Sequence, residues 1–264
     1  MFISIITSTL NSEKYLERCI NSVKNQSIEQ YEHIIVDGLS TDNTLEIIKN
    51  NKHNKLVVLT EKRKGIYPAW NKGVDHSKGK WILFLGSDDY LLHEDVLKML
   101  YRDIRLSHNE PAFISCGIVK GDPLDDESSK KVKKIFATDI RDGLYDGPTL
   151  IMPPQPGLFH SRKLFSDGKR FDESYAAAAD KKFYLEYFGK TNIQFVSLLI
   201  TYFSIGGITN RSGNKLKQWL EKNRMRKELG LPITIEPYFR TLLSSIIRDT
   251  VSLVFGFRTR AKNG

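Results

Sequence analysis

Trp81-Ile82-Leu83-Phe84-Leu85-Gly86-Ser87-Asp88-Asp89-Tyr90 runs five apolar residues into a small turn that ends in two adjacent carboxylates. An apolar run this short, bounded by glycine, reads as a strand buried on both faces. Open α/β sheets bind ligands at the carboxyl ends of their strands, which places Asp88 and Asp89 at a favoured position for chemistry. Adjacent carboxylates at a buried strand end repel each other unless a cation lies between them, so a divalent metal is the natural third party. Taken alone, the segment fits a plain strand and an Asp-rich turn equally well.

Working outward, His33-Ile34-Ile35-Val36-Asp37-Gly38 is a second short apolar run ending in a carboxylate and a glycine. Asp42 follows it in a position to cap a helix beginning near Thr44. A third run, Phe2 to Ser8, opens the chain and leads into a helix expected from Glu13 to Gln26. Asn11 or Ser12 is its expected N-cap, and Tyr15, Leu16, Cys19, Ile20 and Val23 form its apolar stripe. Further strands are expected at Leu56 to Leu59 and at Trp81 to Leu85, with a helix from Pro68 to His76 between them. Alternation of this kind predicts an α/β fold, a Rossmann-like, mostly parallel central sheet flanked by helices.

Four segments carry a resemblance: Ser4 to Asn11, Ile34 to Asp42, Gly65-Ile66-Tyr67 with Asn71-Lys72-Gly73, and Leu85 to Asp89. In this order and spacing they resemble family-2 glycosyltransferases, and most of all the bacterial branch that builds O-antigens and capsules. The similarity is dense over the first hundred residues and looser to about residue 210. It implies a GT-A fold and transfer of a sugar from a nucleotide donor with inversion at the anomeric carbon. The implied division is 1–106 for the nucleotide-sugar half, 107–210 for the acceptor half and 211–264 for a helical basic tail.

The resemblance also implies roles. Asp89 would ligate Mn2+ or Mg2+, the metal would bridge the donor phosphates, and Asp88 would face ribose or sugar hydroxyls. Ser87 stands where many relatives carry Asp or Asn. Thr9, Asn11 and Glu13 would hold base and ribose, although Leu10 replaces the frequent stacking Tyr. Asp37 would receive a base N–H, against a plain turn-capping role beside Gly38. Asn71 and Lys72 would line the donor site. Arg63 and Pro68 replace acidic residues common in relatives. Asp180 would be the catalytic base, against a role as N-cap of a helix from Lys181 to Phe188. Glu173 and Asp172 stand in reserve, and His160 is either near the acceptor or packed in the core. Gly206, Gly207 and Thr209 read as a lid, with Arg211 or Lys215 adding charge.

The formal charge of +9 is uneven. From Arg211 onward there are 12 Lys and Arg against 4 Asp and Glu, a net +8, so the preceding residues carry only +1. A neutral body with a basic tail suggests an anionic membrane surface as partner, which a lipid-linked saccharide acceptor would suit. Ordinary packing of the helices expected at 214–229 and 238–257 is the alternative. Cys19 and Cys116 read as buried thiols, and no leader or spanning run is evident, which predicts a cytoplasmic, peripherally membrane-associated enzyme. A nucleotidyltransferase would need a Gly-rich, basic loop after the first strand, and residues 8–13 have none. No nucleic-acid motif accompanies the basic residues. An inactive sugar-nucleotide scaffold remains the other alternative.

Overall fold

The computed structural model describes residues 3–105, 110–121, 153–187, 190–205 and 215–233, with three short backbone segments between 134 and 150. The first half is β1 (Ile3–Thr9), α1 (Leu16–Lys24), β2 (Tyr31–Asp37), α2 (Thr44–Asn50), β3 (Leu56–Thr60), α3 (Ile66–His76), β4 (Trp81–Phe84), β5 (Tyr90–Leu91) and α4 (Val96–Arg105). The second is β6 (Phe113–Gly121), β7 (Lys134–Phe136), β8 (Tyr145–Asp146), β9 (Thr149–Leu150), β10 (Leu158–Ser161), α5 (Ala179–Tyr187), β11 (Ile193–Ser204) and α6 (Lys215–Glu228). The main sheet runs β3-β2-β1-β4-β10-β6-β11-β5, with β7 added to β6. Strands β3, β2, β1 and β4 are parallel, as the alternation predicts. Beyond them β10 is antiparallel to both β4 and β6, β11 is parallel to β6, and β5 closes the edge antiparallel.

Alternating strand residues feed two cores. Ile3, Ile5, Ile35, Leu83 and Leu85 meet α1 and α4 on one face. Ile6, Ile34, Val36, Ile82 and Phe84 meet α3, α5 and the segment Leu164 to Tyr175 on the other. Gly73 on α3 lets that helix close on β1, because a Cβ there would lie 2.5 Å from Ile6 Cγ2.

Three expected helix starts shift. α1 begins at Leu16 rather than Glu13, and neither Asn11 nor Ser12 caps it with a side chain. Residues 11–13 are committed instead to the neighbouring loop, with Asn11 at φ 51°. α3 begins two residues earlier than expected, so Pro68 sits in its first turn, where no intrahelical N–H is needed. α5 starts at Ala179, which puts Asp180 inside the first turn rather than at its cap. Cys19 and Cys116 are unpaired and buried, and burial pushes both thiols up.

The basic helix at 215–228 forms and is docked by polar groups. Met225 is buried, Glu221 accepts the backbone N–H groups of Ala176 and Ala177 at 2.8 and 2.9 Å, and Glu228 accepts from Tyr175 and Lys182. Lys217, Leu220 and Lys227 face outward. No helix among the described residues is long and apolar enough to cross a membrane. The lid expected at 206–209, Arg211 and the helix expected at 238–257 lie outside the described residues.

Candidate active site

Parallel register brings the carboxyl ends of the first three strands level, with Thr9 opposite Asp37 and Asp37 opposite Thr60. Asp37 is buried and heavily engaged. Thr9 Oγ1 (3.0 Å) and Ser40 Oγ (2.6 Å) donate to its Oδ1, and Ser40 N–H donates to its Oδ2 at 2.9 Å. Asn11 Oδ1 accepts from Thr41 N–H (2.9 Å), and Glu13 Oε2 accepts from Asn43 N–H (3.0 Å). These residues therefore stitch the loop after β1 to the loop after β2. Leu10 and Leu39 stand out on either side, 59% and 51% exposed, with Leu39 held at φ 67°. A left-handed backbone at a branched residue costs of the order of 1 kcal/mol.

The paired carboxylates after β4 have different surroundings. Asp89 is 2% exposed, and its two oxygens accept from Ser204 N–H at 2.8 Å and Gly86 N–H at 3.2 Å. Asp88 is partly exposed, and its backbone carbonyl accepts from Arg18 at 3.1 Å and Ser204 Oγ at 2.6 Å. Burial raises the pKa of both carboxylates, and the negative charge of Asp88 raises Asp89 further. Gly86 makes room for the pair, since a Cβ there would lie 2.7 Å from Asp89 Oδ2 and 2.9 Å from Asp88 Oδ1. Ser87 Oγ lies 2.9 Å from Ser12 Oγ, which ties this turn to the β1 loop. Among the described residues no third His, Cys, Asp or Glu joins them. Two carboxylates with open coordination suit a Mg2+- or Mn2+-type ion completed by substrate phosphate oxygens.

α3 carries the remaining candidates. Asn71 is buried and brackets Phe171, donating to its carbonyl and accepting from its N–H, both at 2.9 Å, while also donating to Glu173 Oε1 at 3.0 Å. Lys72 donates to the Thr60 carbonyl. Asn71 is thus a fastening between α3 and the 171–173 segment, and Lys72 fastens α3 to the end of β3. Arg63 bridges Glu61 and Glu173, at 2.8 and 2.7 Å. Asp180 is partly buried and accepts from Tyr67 Oη at 2.8 Å. Burial raises its pKa, while that bond and the Lys181 ammonium oppose the rise. His160 is fully buried among Phe84, Phe113, Phe165, Phe171 and Phe183, so of its two expected roles it takes the packed one.

Sequence reasoning did not single out Ser204 or Arg18, because the first reaches Asp89 across 115 residues and the second lies on an otherwise ordinary helix. Arg63 bridges Glu61 to Glu173, 110 residues further on, and no local pattern announces the pairing.

Level strand ends, an acidic pair at the end of β4 and a separate carboxylate, Asp180, held by Tyr67 of α3 agree with the GT-A fold that the resemblance implies. The model of "Glycosyl transferase family 2" matches residues 4–164, more than half of the chain, and the chain belongs to that family. A "PGL/p-HBAD biosynthesis glycosyltransferase" of Mycobacterium bovis is 29% identical over 242 residues, covering 88% of each chain. A dolichyl N-acetyl-alpha-D-glucosaminyl phosphate 3-beta-D-2,3-diacetamido-2,3-dideoxy-beta-D-glucuronosyltransferase of Methanococcus voltae is 25% identical over 253 residues, covering 83% of this chain and 77% of that one. Glucosyl-3-phosphoglycerate synthase of Mycobacterium tuberculosis, solved with Mn2+, UDP and glucosyl-3-phosphoglycerate, shares the fold at TM-score 0.59 and 18% identity, covering 88% of this chain and 81% of that one.

Proposed function

We propose that this glycosyltransferase moves a hexose-type sugar from a UDP-sugar to a saccharide acceptor carried on a lipid, inverting the anomeric centre, in the synthesis of a bacterial surface polysaccharide. The observation that carries the reading is the unequal acidic pair at the end of β4. Each Asp89 oxygen accepts one backbone N–H, which fixes the carboxylate in place and leaves further lone pairs for a cation, so we assign the metal-ligand role to it. Asp88 keeps its carboxylate for the ribose or sugar hydroxyls of the donor. A bound Mn2+ or Mg2+ would neutralise the departing diphosphate. Thr9, Asn11, Glu13, Asp37 and Ser87 shape the nucleotide floor, Asn71 and Lys72 brace its wall, and Leu10 and Leu39 offer apolar surface to the base.

Asp180 takes the proton of the acceptor hydroxyl as that oxygen attacks the anomeric carbon from the face opposite the leaving UDP. Residues 1–106 form the donor half, 107–210 the acceptor half, and the basic tail of 211–264 meets anionic lipid on the cytoplasmic side of the membrane. The lipid-linked acceptor is supported by the name of the Methanococcus relative and by the net +8 of the tail. The test is a panel of UDP-, GDP- and dTDP-sugars assayed for nucleotide release with Mn2+, Mg2+ or EDTA. Release from a UDP-sugar that EDTA abolishes is expected. Undiminished release in EDTA sinks the metal role, and no release from any donor favours a scaffold.

A further inference from the structure

The acceptor-side carboxylate is held by a side chain from the donor side. Tyr67 is the second residue of α3, whose N-cap is Gly65 at φ 113°. Its ring is 3% exposed and is wedged against Trp70 at 5.6 Å and Phe171 at 5.9 Å between centroids, so its hydroxyl has little freedom of position. That hydroxyl donates to Asp180 Oδ1 at 2.8 Å. Burial and the nearby Asp180 charge both push the phenol's pKa up, which keeps it protonated and a donor.

We propose that Tyr67 is a positioning residue for the base: it clamps one oxygen of Asp180, stabilises the ionised carboxylate and leaves the other oxygen for the acceptor proton. The inference rests on the assignment of Asp180 as base. Two further ties from the same stretch, Arg63 to Glu173 and Asn71 to Phe171, hold the segment leading to Asp180.

The electrostatics favour a tuning role. Lys181, on the helix of Asp180 itself, lowers its proton affinity. The other charges nearby are already paired: Arg63 with Glu61 and Glu173, and Lys182 with Asp172 of the preceding segment and Glu228 of α6. His160, in the aromatic core below, is held neutral by burial. Beside the local backbone amides of Asp180 and Lys181, Tyr67 is the neutral donor to this carboxylate, at Oδ1. A charge-assisted bond of this kind favours the ionised form, so removing it raises the carboxyl pKa.

The test is carbon-13 NMR of the full chain labelled at aspartate carboxyls, comparing the unaltered protein with Tyr67→Phe. The Asp180 resonance is identified by its loss in Asp180→Asn. The Asp180 midpoint is expected to rise by about one pH unit in Tyr67→Phe. An unchanged or lowered midpoint overturns the proposal, and this arm needs no substrate. Tyr67→Phe keeps the buried ring, and a thermal melt confirms folding. In parallel, UDP release from UDP-glucose and UDP-N-acetylglucosamine with Mn2+ is followed against pH. Asp180→Asn is expected to lose at least about 100-fold, and Tyr67→Phe to move the acid limb of kcat/KM upward with its alkaline plateau largely kept. Retained turnover in Asp180→Asn sinks the base assignment, whereas a pH-independent loss in Tyr67→Phe sinks the positioning role alone.

Discussion

Residues 3–105 and residues 153–187 differ in how far distant side chains hold their acidic groups. In the first region Asp89 is gripped by the backbone amides of Gly86 and Ser204, and Asp37 by the Ser40 amide with the hydroxyls of Ser40 and Thr9. In the second, beside local backbone bonds, Asp172, Glu173 and Asp180 are held by the long side chains of Lys182, Arg63, Asn71 and Tyr67. A backbone grip is built into the sheet and survives most substitutions nearby. A side-chain grip depends on single residues, so the acceptor-side carboxylates can be released one at a time while the sheet stays intact. Donor geometry and acceptor geometry are therefore separable by mutation.

The sharpest way to break the contrast is to attack the framework. A Cβ at Gly79 would lie 2.5 Å from the Ser4 backbone nitrogen, where Ser4 Oγ also links Gly79 to Glu32. Gly79→Ala should cost about 3 kcal/mol, lowering the melting temperature by roughly 6–12 °C and weakening both regions together. Loss of protection confined to one region in hydrogen exchange would contradict the shared framework.

Asn71→Ala strikes the second region alone. It leaves the Phe171 amide and carbonyl without their partner, a loss of about 2 kcal/mol. Protease sensitivity should rise within 165–178 well beyond any rise across the first hundred residues. Equal sensitivity across the first hundred residues would show that the two regions are not distinct.

The proposed cation binding would act on the first region. Burial holds the Asp88 and Asp89 pKa values up, so the folded chain binds more protons than the unfolded chain between the ordinary carboxylate range and the raised values. Stability without metal therefore falls as pH rises through that window. Mn2+ with UDP should raise the melting temperature at pH 7.5 by several degrees, and by less at pH 5, where protons compete. An equal rise at both values would remove the acidic pair from the binding site.

The smallest effect lies beneath the second region. Among the described residues neither ring nitrogen of His160 makes a hydrogen bond of good geometry, and burial lowers its pKa to about 3. Its folded pKa is below the unfolded value, so it costs stability as pH falls below about 6.5. His160→Phe should change stability by less than about 1 kcal/mol at neutral pH and slow acid unfolding. Faster acid unfolding in the variant would assign the imidazole a partner it lacks here.

The contrast also explains what the sequence disclosed. Backbone-gripped carboxylates follow apolar runs, so Asp37, Asp88 and Asp89 could be read off local pattern, as could the parallel strands leading to them. The insertion of β10 between β4 and β6 could not, because antiparallel pairing of His160 with Ile82 depends on contacts 78 residues apart. Nor could the grip on Asp89 by the backbone amide of the distant Ser204. Asp180 was legible through family resemblance, but its seat inside a helical turn was not, since the chain enters that helix one residue earlier, at Ala179.

Both sulfhydryls of the chain lie sealed in the interior, Cys19 beneath the Asp88 turn and Cys116 on β6. Maleimide dyes will therefore ignore the natural protein. A lone cysteine engineered at Leu220, on the outward face of α6, becomes a clean optical handle for watching that surface approach a vesicle.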